Sequence, residues 1–247
     1  MKKHILILIL TVLQNSLQAQ ELKKVSYQDG DQILSGLVTS NVGKNLSGVL
    51  ILPAWKGIDN EAKNAAIELE KQGYIALIAD IYGDGNIPKD NSEAAKIATR
   101  YKDDYKAYQH RISLALEQLI KAGAASDKIA VIGYCFGGAG ALEVARSDMD
   151  VSGIVCIHGS YAKSVDREHR TIKSKVLVEH AANDASISKT DYDNLIIELN
   201  EGKADWQIIT YANSAHTFTN PESNDFNPVM ADRAWNHTLL FLKEILK

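Results

Sequence analysis

The sequence predicts an α/β fold: a mostly parallel sheet with helices on both faces and an N-terminal antiparallel hairpin. Three observations carry this. Short apolar runs without clean alternation recur from residue 48 onward, stretches of helical periodicity lie between them, and a turn signal splits two strand-like runs near the start. Unbroken apolar runs suit strands covered on both faces, and strand alternating with helix makes neighbouring strands parallel.

Lys23–Gln28 and Gln32–Thr39 flank the turn signal Asp29-Gly30 and read as the hairpin. The buried-strand candidates follow as Gly48–Leu52, Ile75–Asp80, Ile129–Gly133, Gly153–His158, Val176–His180 and Trp206–Tyr211. Between the first two, Ala62, Ala65, Ala66 and Leu69 share one helical face, and Gly73 suits the stop. Tyr105, Tyr108, Ile112, Leu116 and Leu119 form a second stripe, and Ala231, Trp235, Thr238, Leu242 and Ile245 a third. Aromatic residues at this spacing are usually core, so Tyr105 and Tyr108 are assigned to packing.

A chain of 247 residues, 45% hydrophobic, suits one domain. Net charge is −4 with no block of like sign, which argues against a nucleic-acid surface. Lys2 and Lys3 precede the apolar run Ile5–Leu13, and Ala19 closes a polar stretch. That layout predicts a signal peptide over 1–19, a mature domain over 20–247, and a periplasmic or secreted destination. The run falls well short of the roughly 20 residues that span a bilayer, so no stable membrane insertion is expected after cleavage. An oxidising compartment would permit a disulfide between Cys135 and Cys156, and with it a redox switch. Cys156, inside "GIVCI", reads more simply as a small core residue.

The stretch "GYCFGG" (133–138) follows the run "KIAVI". Gly-x-Cys-x-Gly has the form of a strand–turn–helix elbow with cysteine as nucleophile. A sharp bend there leaves no room for side chains two positions away, which Gly133 and Gly137 satisfy. The following helix would aim N–H groups at the site, Phe136 first, to stabilise an oxyanion. A plain packing turn or a phosphate turn has the same outline, so partners decide. Downstream, Asp184 follows the strand "VLVEH" and His216 follows "WQIITY". Nucleophile, acid and histidine thus fall in order at successive strand ends. His158 ends another strand and could line a pocket, and His180 would support the acid loop. His110, His169 and His237 read as surface or core. No His or Cys pair has metal-ligand spacing, so neither metal nor cofactor is expected.

With those residues in place, the sequence resembles the dienelactone hydrolase family, which has the α/β-hydrolase fold. The matching pieces are "LPAWKG" (52–57), "ADIYGDG" (79–85), "GYCFGG", "IHGSY" (157–161), Asp184 and "AHTFTNP" (215–221). The resemblance implies a Cys135–His216–Asp184 triad and an oxyanion hole of the Phe136 and Trp55 N–H groups. It also implies a pocket that includes Lys56, Tyr82, His158 and Phe218. Three positions depart from the family pattern. Ala54 stands where a glutamate takes up the thiol proton, with Lys56 beside it as a cation that would favour thiolate. Asp84 and Asn220 stand where arginines hold a substrate carboxylate. Losing two charge-assisted hydrogen bonds costs about 1.5–3 kcal/mol each, so an anionic lactone is expected to bind poorly. The expected activity is hydrolysis of small ester, lactone or thioester substrates through an acyl-cysteine. The alternative is a non-catalytic small-molecule-binding protein on the same scaffold.

Overall fold

The computed structural model describes residues 21–163, 167 and 170–247. The expected leader over 1–19 and His169 lie outside them. The chain opens with β1 (Lys23–Asp29) and β2 (Gln32–Val38), paired antiparallel in register Tyr27↔Leu34. Gly30, at φ +56°, makes the turn. Then come β3 (Gly48–Leu52), α1 (Asn60–Lys71), β4 (Ile75–Ile78), α2 (Asn91–Asp103) and α3 (Tyr105–Lys121). The second half holds β5 (Ile129–Tyr134), α4 (Phe136–Ala145), β6 (Gly153–Ile157), β7 (Lys175–Ala181), α5 (Lys189–Glu201), β8 (Trp206–Tyr211) and α6 (Pro228–Ile245).

These strands form one sheet in the order β1-β2-β4-β3-β5-β6-β7-β8, parallel from β4 onward. Strands β3 to β6 are buried at every position, which explains their lack of alternation. Helices α1 and α6 cover one face, where Ala62, Ala66, Leu69 and Leu242 pack on Ile51, Ile132 and Leu177. On the other face lie α2, α3, α4 and α5, through Ala98, Tyr108, Ile112, Leu142 and Leu195.

Two expectations change. The fourth strand ends at Ile78, two residues before Asp80, because Asp80 turns its carboxylate to the backbone. It accepts from the N–H groups of Ser35, Tyr82 and Gly83 and so begins the loop. Helix α2 went unassigned from the sequence: of its residues only Ala94, Ala98 and Tyr101 are buried, a narrow and mostly alanine stripe.

The register places the site. Leu52, Gly133 and Cys156 stand side by side on β3, β5 and β6, so the loops after them open at one edge. The chain moves outward from β3 to β4, then crosses back to β5, so the strand order reverses beside β3. Ligands of open parallel sheets bind at such a reversal, outside the C-terminal strand ends.

Candidate active site

Cys135 occupies the bend between β5 and α4 at φ 54°, ψ −109°, a conformation that costs a non-glycine residue on the order of 1–3 kcal/mol. Packing holds it there. All ten residues of α4 are buried, the Cys135 N–H donates to the Ile157 carbonyl at 3.0 Å, and the Phe136 ring stacks on Tyr108 at 4.6 Å. The Tyr108 hydroxyl donates to the Phe136 carbonyl at 3.0 Å and ties α3 to the elbow. Gly137 passes against the end of β3, where a Cβ would lie 2.0 Å from the Leu52 carbonyl oxygen.

The three distant side chains meet. His216 Nε2 is 3.0 Å from Cys135 Sγ, and its Nδ1 is 2.7 Å from Asp184 Oδ2. Ser186 donates its hydroxyl (2.6 Å) and its backbone N–H (2.9 Å) to Asp184 Oδ1, which orients the carboxylate toward the ring. Burial pushes the Asp184 carboxyl up, but its hydrogen bonds to His216 and Ser186 prevail and bring it to about 2. Burial pulls His216 down, but Asp184 on one side and the Cys135 sulfur on the other raise it to about 10.

Behind His216 stands His158, its ring 5.5 Å away and edge-on. Burial, then the neighbouring His216, lowers His158 to about 3, so it remains neutral. Its Nε2 meets the Thr219 hydroxyl at 2.7 Å, and that hydroxyl donates to Glu61 at 2.6 Å.

These charges set a pH window for stability. A depressed Asp184 stabilises the fold above 3.8, an effect lost as pH falls toward about 2. A raised His216 stabilises it below 6.5, an effect lost as pH climbs through about 10. Asp184→Asn is therefore expected to lower the melting temperature most between pH 3.8 and 6.5, with the deficit shrinking steadily from 6.5 to 10. Thermal melts of both proteins across that range test it, and a deficit independent of pH would speak against the ion pair.

A cavity of about 350 Å³ opens over Cys135 and His216. Trp55, Phe136, Ser160 and Ser186 contribute to its wall, and α2 adds Ala98, Thr99 and Lys102. Trp55 and Phe136, the expected oxyanion-hole residues, thus both border it. The Phe136 N–H opens α4 and has no carbonyl in its own helix to pair with.

The other expected pocket residues sit elsewhere. Lys56 is exposed and outside the wall, because the turn closed by Gly57 N–H on the Ala54 carbonyl faces it to solvent. Tyr82 lies one layer deeper and donates its hydroxyl to the Trp55 carbonyl at 2.8 Å, fixing that loop from behind. Phe218 is enclosed against Tyr211 at 5.2 Å, and His158 backs the His216 ring. Asp84 and Asn220 also lie outside the wall.

Sequence reasoning missed Ser186 and the α2 wall. Ser186 carried a faint signal, a hydroxyl two residues after an acid, as in an Asx-type turn. Both cysteines are free. Cys156 is enclosed in the core on β6, where burial pushes its thiol up to about 12, so it is a packing residue and no disulfide is present.

The profile of the dienelactone hydrolase family matches residues 34–246. The chain is 25% identical over 226 residues to a Bradyrhizobium sp. protein named "Probable 2-oxo-3-(5-oxofuran-2-ylidene)propanoate lactonase", covering 87% of this chain and 90% of that one. Among solved structures it resembles a dienelactone hydrolase-like promiscuous phosphotriesterase from metagenomic libraries, with TM-score 0.87 and 28% identity over 92% of this chain and 99% of the other. A structure named m3DLH superposes with TM-score 0.87 and 29% identity, over 93% of this chain and all of that one, at 100%. With a family match over most of its length and strand ends that gather a thiol, an imidazole and a carboxylate, this chain belongs to the dienelactone hydrolase family and is a hydrolase of ester or lactone bonds.

Proposed function

We propose that this protein is an exported hydrolase of small esters, lactones or thioesters that works through an acyl-cysteine. The observation that carries the reading is the continuous chain Cys135 Sγ, His216, Asp184 at 3.0 and 2.7 Å. Lys2, Lys3 and the apolar run Ile5–Leu13 support export to a periplasmic or secreted location.

With its affinity for a proton raised, His216 holds the proton and leaves the sulfur as a nucleophile. The sulfur attacks the carbonyl carbon, the S–C bond forms, and the π electrons move to oxygen. The N–H groups of Phe136 and Trp55 stabilise that oxyanion. Collapse breaks the C–O bond, and His216 gives its proton to the departing alkoxide. Water then loses a proton to His216 and attacks the thioester, releasing the acid and the thiolate. Asp184 keeps Nδ1 protonated throughout and balances the imidazolium charge.

The cavity favours small acyl groups. Its residues include apolar Trp55, Ala98 and Phe136, with Lys102 as a cation beside His216. Asp84 engages Lys24 at 3.9 Å, and the Asn220 side chain accepts the Glu222 N–H at 2.9 Å, so neither offers a cation to a substrate carboxylate. The lactonase and phosphotriesterase names of the relatives suggest lactones and phosphotriesters as first members of a substrate panel.

Acid quenching during turnover of p-nitrophenyl acetate, followed by peptide mass spectrometry, is expected to find one acetyl group on Cys135. Iodoacetamide should alkylate that residue and abolish turnover. Turnover with no Cys135 adduct, and full activity after Cys135 is alkylated, would replace the acyl-cysteine by direct attack of water.

A further inference from the structure

A second cavity, of about 170 Å³, lies between α1 and α6 over the ends of β5, β6 and β7. It shares no wall residue with the catalytic cavity. Its wall is mostly apolar, with Ala65, Ala231 and Trp235 contributing, yet it includes Glu61, Glu179 and Tyr134.

One of these carboxyls is incompletely bonded. Glu61 is 8% exposed, and its Oε1 accepts from Thr219 at 2.6 Å. Glu179 is 0% exposed, and its Oε1 accepts from Thr238 at 3.0 Å, while Oε2 is buried without a partner. No lysine, arginine or histidine belongs to this wall. Burial raises Glu61 to about 8 despite the Thr219 bond, and raises Glu179 well above the usual carboxylate range. Tyr134 borders the same cavity, where burial raises its hydroxyl and the charges of Glu61, Glu179 and Asp59 add to that. A buried carboxyl oxygen without a partner is costly in a folded protein.

We propose that this cavity is a binding site for a small primary ammonium on an apolar group, with the nitrogen on Glu61 and Glu179 and the apolar part against Trp235 and Ala231. An ammonium brings three donors and no acceptor, which matches the Glu179 oxygen that lacks a donor. Its charge lets the Glu61 carboxyl ionise, and the carboxyl proton leaves to solvent. The rings of Trp235 and Tyr134 add aromatic faces suited to a cation. An apolar cavity of about 150 Å³ takes benzene, so a single ring is the right size.

Calorimetric titration with benzylammonium chloride tests this. The wild type is expected to bind it equally well before and after Cys135 is blocked with iodoacetamide. Benzyl alcohol, of the same shape without the charge, should bind at least tenfold more weakly. Glu61→Gln should weaken benzylammonium at least tenfold, and Ala231→Phe, which fills the cavity from α6, should abolish binding. A wild-type melting temperature shows that each variant is folded, and Glu179→Gln replaces Glu61→Gln should the latter unfold. The assignment is overturned by absence of binding to the wild type, by equal affinity for the alcohol, by full affinity in the folded glutamine variant, or by loss of binding on Cys135 blockade.

Discussion

Replacing Cys135 by alanine is expected to lower kcat/KM for p-nitrophenyl acetate by about a hundredfold or more, a loss of about 2.7 kcal/mol of transition-state stabilisation. The expectation follows from position as well as chemistry. The sulfur sits 3.0 Å from His216 Nε2 and borders the cavity shared by Trp55 and Phe136. Alanine keeps the backbone bend and leaves the cavity and the α4 N-terminus in place, so any residual rate reports positioning and oxyanion stabilisation alone. The loss should fall on kcat, because the small acetyl ester gains little binding from the thiol. His216→Ala should reduce the rate comparably, and the double variant little further, since the two groups act as one unit. Stopped assays on purified protein decide it: wild-type rates in both single variants would remove the thiol and the imidazole from the mechanism.

Gly137→Ala is expected to destabilise the protein by about 4 kcal/mol or more, the range reserved for severe steric conflicts. The added Cβ would lie 2.0 Å from the Leu52 oxygen, 2.5 Å from the Leu52 carbonyl carbon and 2.8 Å from the Pro53 oxygen. All three are backbone atoms, so no side-chain rotation relieves the contact. Either α4 lifts from the sheet or the end of β3 moves, and both are buried. Both responses also displace the loop that carries Trp55, so any folded fraction should hydrolyse p-nitrophenyl acetate slowly. Gly85→Ala is the control. Its Cβ would meet nothing within 4 Å, and its φ of +84° alone should cost about 1–2 kcal/mol. Urea denaturation midpoints compare them, and equal losses would show that backbone conformation, not crowding, is what glycine relieves at 137.

Much of the site was legible because chemistry in this fold collects at strand ends, and strand ends are local features. A buried parallel strand is a short apolar run, so the residue after it can be found without knowing its neighbours. Cys135, Asp184 and His216 each stand just past such a run. The pocket residues were less legible for a related reason. Lys56, Tyr82, His158 and Phe218 are also near strand ends, yet depth below the surface decides whether a side chain lines a cavity or supports its wall. Tyr82 illustrates this: its hydroxyl reaches the Trp55 carbonyl, a contact across 27 positions that no local pattern encodes.

The amino-acid order by itself determined the alternation of strand and helix, the glycine-flanked elbow at Cys135 and the order of thiol, carboxylate and imidazole along the chain. Each depends on hydrophobic period or steric room within a few residues. Only the tertiary structure decided that α2 walls the cavity over Cys135, that Ser186 orients Asp184, and that Glu61 and Glu179 share a second cavity between α1 and α6. Cavities and buried charges arise where separate elements fail to fill the space between them, and that depends on how whole helices seat on the sheet.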